Sequence, residues 1–132
     1  SLAFADKACR VVNFEARDKL VNQLERGIAK NNFDNCDVIS GYVGKDVYLD
    51  EFSSPDVVLM DVEGWEYDIL KSSPETIDAH PVWIIELHDK GKTDPNVDTP
   101  EMVEPEKVKN LLSKNGYSIS PIGNTGKHII AQ

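Results

Sequence analysis

The sequence has no apolar run approaching the roughly 20 residues needed to cross a bilayer, which argues against membrane insertion. Basic side chains are in the minority: 14 lysines and arginines stand against 23 aspartates and glutamates, for a formal charge of −9. That balance repels phosphate backbones and leaves no electrostatic basis for non-specific nucleic-acid binding, so neither nucleic acid nor membrane is an expected partner. Cysteine is scarce. Cys9 and Cys36 have neither Cys-x-x-Cys spacing nor a neighbouring histidine pair, which argues against a zinc or redox motif and makes two core thiols the expectation. Residues 1–9 lack the basic region and long apolar stretch of a secretion signal, so a cytoplasmic location is expected. No internal repeat or inter-domain linker is visible.

What remains is enough for one core. At 132 residues, with 40% apolar and 28% charged side chains, the chain can bury roughly two-thirds of its unfolded surface without disulfide or metal staples. A single domain over residues 1–132 is expected.

Two kinds of period alternate along the chain. Residues 10–15 form a short run rich in β-branched and aromatic side chains and closed by Glu15, as a buried strand would be. Leu20, Val21, Leu24, Ile28 and Ala29 then share one helical face until Asn31-Asn32. A second strand is expected over 36–42. Residues 56–62 and 81–88 are near-continuous apolar runs, the pattern of parallel strands covered on both faces. Between them Trp65, Ile69 and Leu70 give a helical stripe that Ser73-Pro74 stops. Residues 89–105 are polar, aperiodic and rich in proline, a long loop of the kind that often carries function. Val108, Leu111 and Leu112 mark a last helix ending at Asn115-Gly116, and residues 117–122 and 128–131 pair as a terminal hairpin. The fold class is therefore α/β, a mainly parallel sheet with a C-terminal antiparallel hairpin whose antiparallel strand lies at the edge.

Ligands of such sheets bind beyond the carboxyl ends of the strands, so the polar residues there carry the chemistry. Glu15 ends the first strand, where one carboxylate can accept hydrogen bonds from both ribose hydroxyls of a nucleotide-like cofactor. Asp61 and Glu63 end one apolar run; Glu86 and His88 end the next. Each pair is two residues apart and so projects to one side of its strand. If the strands are neighbours, three carboxylates and an imidazole converge, able to act as a general base or to hold a divalent cation. Gly64, directly after Glu63, permits close backbone approach or a turn into the next helix.

These residues resemble the FkbM-type methyltransferases. Asp61-Val62-Glu63-Gly64-Trp65-Glu66 with Leu70-Lys71 is similar to the family's D-x-E-G-x-E…L-K segment. Asn13-Phe14-Glu15 resembles its F-E-P run, with Ala16 in place of proline, and Ile85-Glu86-Leu87-His88 its I-E-x-H strand. The resemblance extends to Gly116-Tyr117 and implies a Rossmann-like methyltransferase fold that binds S-adenosylmethionine and methylates hydroxyl groups of small metabolites or sugars. By position it implies that Glu15 binds the ribose, that Val43 and Gly44 lie beside the adenine, and that Asp61 lines the cofactor cleft. Glu63, Glu86 and His88 would face the acceptor. The candidate base is His88, with Asp61 or Glu63 as alternatives, and no metal is assigned. The family's opening strand and glycine-rich turn, D-x-G-A-x-x-G, have no counterpart before Glu15, so the first strand of the sheet is expected to be missing and the domain to be a truncated one. The competing functions are a non-catalytic methyltransferase-like binding module and a metal-dependent hydrolase using Asp61, Glu63, Glu86 and His88. Homo-oligomer formation is left open.

Overall fold

The computed structural model describes Ala5, residues 7–88 and residues 105–132. The loop expected over 89–105 lies outside the described residues except for Pro105. The chain divides between Val47 and Tyr48 into two compact units.

The first unit is built from β1 (Val11–Glu15), α1 (Asp18–Asn31) and β2 (Cys36–Ser40). The two strands run parallel, with Val11 opposite Cys36 and Glu15 opposite Ser40, so their carboxyl ends lie side by side. Leu20, Val21, Leu24 and Ile28 of the α1 stripe are half-buried while Ala29 is exposed, and the helix stops where the sequence says it should. Asn32 takes the left-handed conformation at φ 54°, which asparagine tolerates better than most residues, and Phe33 N–H returns to Ile28 O at 3.2 Å. Asn13, buried in the middle of β1, donates its side-chain amide to Asp37 O of β2 at 3.1 Å. The expectation of two core thiols fails: Cys36 is half-buried, but Cys9 is exposed, because it sits in a bend ahead of β1 rather than within an element.

The second unit opens with a 3₁₀ turn (Leu49–Glu51), followed by β3 (Val57–Met60), α2 (Glu66–Lys71), α3 (Pro74–Asp78), β4 (Val82–Glu86), α4 (Pro105–Lys114), β5 (Ile119–Ile122) and β6 (His128–Ala131). Pro74 both ends α2 and starts α3, since its missing N–H costs nothing at a first helical position. Gly116 closes α4 at φ 90°. The sheet order is β3-β4-β6-β5, with β3 and β4 parallel and β6 antiparallel to both of its neighbours. No helix among the described residues is long and apolar enough to cross a membrane.

Two expectations about this sheet need correction. The antiparallel strand is β6, and it lies between β4 and β5 rather than at the edge. The burial pattern gives the reason. β6 (His-Ile-Ile-Ala) buries Ile129 and Ala131, whereas β5 is largely exposed and carries Pro121, which has no N–H for a second neighbour. The second concerns β3, which was expected to be covered on both faces. Val57 and Leu59 are each 55% exposed. Among the described residues β3 is hydrogen-bonded on one side only, to β4, and so is an edge of its sheet. The two parallel pairs, β1 with β2 and β3 with β4, accordingly belong to separate sheets.

The interior of the second unit centres on β4. Trp83 and Ile85 are fully buried, joined by Leu70 from α2, Val108 and Leu112 from α4, and Ile129 and Ala131 from β6. Trp83 Nε1 donates to Tyr117 Oη at 3.0 Å, and that hydroxyl donates to Ile77 O at 2.9 Å, so both of these buried groups are satisfied. Asp50, in the 3₁₀ turn, caps α3 from a distance: it accepts from Glu75 N at 3.1 Å, Thr76 N at 2.8 Å and Thr76 Oγ1 at 2.6 Å. Burial alone would raise its pKa, but the bonds from Thr76 and Glu75 outweigh burial and hold the carboxyl below its ordinary 3.8. A depressed folded-state value means that the stabilisation is present above the unfolded pKa and fades as pH falls through the folded one. Asp50→Ala is expected to cost about 1–2 kcal/mol at neutral pH, measured by urea unfolding, with the deficit shrinking as the pH is lowered past the ordinary aspartate range. A deficit that stays constant down to acid pH would contradict this account.

Candidate active site

In the second unit the parallel register of β3 and β4 pairs Met60 with Ile85, so the residues that follow each strand emerge at the same end. Asp61 leaves β3 there. The chain then turns sharply: Glu63 adopts φ 53° and Gly64 φ 102°, with Trp65 N–H reaching Val62 O at 3.4 Å. The left-handed conformation costs a non-glycine residue about 1–2 kcal/mol, and here it holds the Glu63 carboxylate beside that of Asp61. From β4, His88 brings its ring between them. Its Nε2 lies 3.6 Å from Asp61 Oδ1 and 3.5 Å from Glu63 Oε2.

The other ring nitrogen is fixed from behind. His88 Nδ1 lies 2.5 Å from Oε1 of Glu66, the first residue of α2, which is only 3% exposed. The same oxygen accepts Gly64 N–H at 3.2 Å. A carboxylate can only accept, so Nδ1 carries the proton and Nε2 is the nitrogen turned toward Asp61 and Glu63. Burial disfavours the charged imidazole, but the Glu66 hydrogen bond and the charges of Glu66, Glu63 and Asp61 outweigh it and raise the His88 pKa above 6.5. The outer face is open, with the side chains of Asp61 and Glu63 62% and 59% exposed. The arrangement is a well-oriented imidazole backed by a buried acid and fronted by two accessible carboxylates. It can accept a proton from a ligand or help to hold a cation.

Glu86 does not join this group. It stands directly opposite His128 of β6, and their side chains pair at 3.3 Å. The regular pleat of β4 ends at Glu86, so the two-residue alternation does not carry on to His88. Glu66 is the residue that sequence reasoning passed over. Its signal was present in the acid that closes the Asp61–Glu66 segment, lying between Trp65 and Tyr67 at the first position of a helix.

The methyltransferase FkbM domain matches residues 43–119, more than half of the sequence. The chain belongs to that family. Among curated proteins none matches it. Solved structures agree on the fold. A candidate rRNA methylase from Clostridium thermocellum superposes with a TM-score of 0.61 at 14% identity over 92% of this chain and 70% of that one. A precorrin-6y C5,15-methyltransferase from Geobacter metallireducens GS-15 gives 0.61 at 14% identity over 92% and 66%. A SAM-dependent methyltransferase from Aquifex aeolicus gives 0.52 at 17% identity, again over 92% and 66%. The chain thus spans about two-thirds of the length of these proteins and shares their Rossmann-like methyltransferase fold.

The FkbM match takes in the whole Asp61, Glu63, Glu66 and His88 cluster. It begins at Val43, beyond Glu15. In the first unit Glu15 ends β1, and Val43 and Gly44 lie in the loop that follows β2, at the same end of that parallel pair. The loop is tightly closed: Tyr42 O accepts from Asp46 N at 2.8 Å, Gly44 N–H donates to Val47 O at 2.7 Å, and Gly44 sits at φ 85°. Glu15 Oε1 accepts from Arg17 N at 3.0 Å and Arg17 Nε at 3.1 Å, and Oε2 lies 3.5 Å from Arg17 Nη2. Burial raises the Glu15 pKa, but the Arg17 hydrogen bonds and charge prevail and hold it below 4.5, so the carboxylate is ionised.

Proposed function

We propose that this FkbM domain transfers a methyl group from S-adenosylmethionine to a hydroxyl oxygen of a small metabolite or sugar. The observation that carries this reading is the His88 imidazole, oriented by buried Glu66 and presented with Asp61 and Glu63 at the carboxyl ends of two parallel strands.

S-adenosylmethionine supplies, when bound, a methyl group on a positively charged sulfur. The donor set of this chain fits it. Glu15 is ionised, and a carboxylate has acceptor capacity for two ribose hydroxyls. The closed loop after β2 places Val43 and Gly44 at the same strand end, where an apolar side chain and a glycine suit a flat heteroaromatic ring. At the acceptor side, an alcohol is a poor nucleophile until its proton begins to leave. His88 Nε2 is the candidate group to receive that proton, with Asp61 or Glu63 as alternatives, and the carboxylates stabilise the imidazolium that results. Holding the oxygen in line supplies much of the remaining acceleration. A small acceptor fits the charge of −9, which opposes a polyanionic one.

Titration calorimetry tests the cofactor reading. S-adenosylmethionine and S-adenosylhomocysteine are expected to bind, and Glu15→Ala to weaken both at least tenfold, equivalent to about 1.4 kcal/mol. An absence of heat with either compound at millimolar concentration would overturn it and favour a non-catalytic binding module.

A further inference from the structure

We infer that Asp61, Glu63 and His88 form a binding site for a divalent first-row cation, manganese or zinc, open on one side to the acceptor hydroxyl. The inference rests on the methyltransferase reading of the same site and names what activates the oxygen there.

Three features lead to it. The first is the donor set. One imidazole nitrogen and two carboxylate oxygens, all within 4.8 Å of one another, leave room for further ligands on the solvent side. The second is the spacing. His88 Nε2 stands 3.6 Å and 3.5 Å from its two carboxylate neighbours, beyond the roughly 2.7–3.2 Å of a good hydrogen bond. Metal–ligand bonds of about 2.0–2.2 Å put adjacent ligand atoms about 3.0–3.6 Å apart, so the separations fit a shared cation better than a shared proton.

The third lies outside the ligand set. Glu66 is buried, stays clear of the open face, and binds His88 Nδ1 while being held by Gly64 N–H. A carboxylate behind the distal nitrogen is the usual support of a metal-bound histidine: it fixes the tautomer and raises the basicity of the ligating nitrogen. With Nδ1 committed to Glu66, Nε2 faces two carboxylates whose negative charge either a proton on the ring or a bound cation can offset. A cation among the three atoms takes the place of that proton. Imidazole among the ligands favours manganese or zinc over magnesium, which prefers oxygen and keeps its waters.

A hydroxyl oxygen bound at the open face would lose its proton more readily than in water, because the cation stabilises the alkoxide. The O–H bond breaks, the pair stays on oxygen, and the proton passes to a solvent water. In the metal-bound form His88 Nε2 is a ligand rather than the proton acceptor, and the cation activates the oxygen.

The test uses the full chain stripped with chelator and titrated with manganese or zinc chloride, followed by calorimetry and, for manganese, by electron paramagnetic resonance. One ion per chain is expected, with affinity reduced at least tenfold in Asp61→Asn and in Glu63→Gln. Both side chains are largely exposed, so neither change should unfold the protein. Glu25→Gln, on the exposed face of α1, should leave the affinity unchanged. No binding at millimolar metal, or equal weakening by all three changes, would overturn the site. S-adenosylmethionine calorimetry on the same samples separates the two ideas. Cofactor binding without metal binding sinks the cation site alone, and metal binding without cofactor heat sinks the methyltransferase reading.

Discussion

Tyr117→Phe is expected to destabilise the second unit by about 1–3 kcal/mol. The hydroxyl it removes is the acceptor for Trp83 Nε1 and the donor to Ile77 O, at 3.0 and 2.9 Å, and Trp83 and Tyr117 are 0% and 5% exposed. Trp83 Nε1 loses its partner, at a cost of about 1–3 kcal/mol because it gave up water on folding, whereas Ile77 O keeps the bond from His80 N at 3.0 Å. Phenylalanine keeps the ring and its stacking on His80, whose centroid lies 4.9 Å away, so the change isolates the oxygen. In a domain of this size the loss corresponds to a fall in Tm of roughly 4–12 °C. Urea unfolding should show a lower midpoint with an unchanged slope. A shift under about 0.5 kcal/mol would mean that water or a rearranged neighbour replaces the hydroxyl.

The second large effect concerns chemistry. His88→Ala is expected to reduce methyl transfer to a hydroxyl acceptor about 10²–10⁴-fold, the range associated with losing a positioned proton acceptor or metal ligand. Formation of S-adenosylhomocysteine, followed over a panel of sugars and small alcohols, gives the rate. The Kd for S-adenosylmethionine should stay within about threefold of the unmodified protein, because ribose recognition is assigned to Glu15. The substitution also strips buried Glu66 of its Nδ1 partner, so thermal unfolding must be followed in parallel and the assay run well below Tm. A folded variant that transfers methyl at the unmodified rate would remove His88 from the reaction.

Much of this architecture was legible in the chain. The α1 stripe, its stop at Asn31-Asn32, the end of α4 before Gly116 and the positions of the strands all follow from local rules, because side-chain spacing and the left-handed preference of glycine and asparagine act over a few residues. The likeness of residues 61–66 to the FkbM segment rested on the same short-range pattern. Less legible was β3. A continuous apolar run predicts two covered faces, yet whether they are covered depends on neighbours that the run itself does not contain, and Val57 and Leu59 are exposed.

The sequence by itself determined which residues stand at the strand ends, Asp61, Glu63, Glu86 and His88 among them, since the length of each apolar run sets where the chain leaves the sheet. Tertiary structure decided which of them meet. Insertion of β6 beside β4 put His128 opposite Glu86 and drew that carboxylate away. Folding of α2 across the turn at Glu63-Gly64 brought Glu66 to His88, 22 residues further along the chain. Both pairings depend on strand order and helix placement, which no local period encodes, and they turn four candidate residues into one oriented imidazole with two open carboxylates.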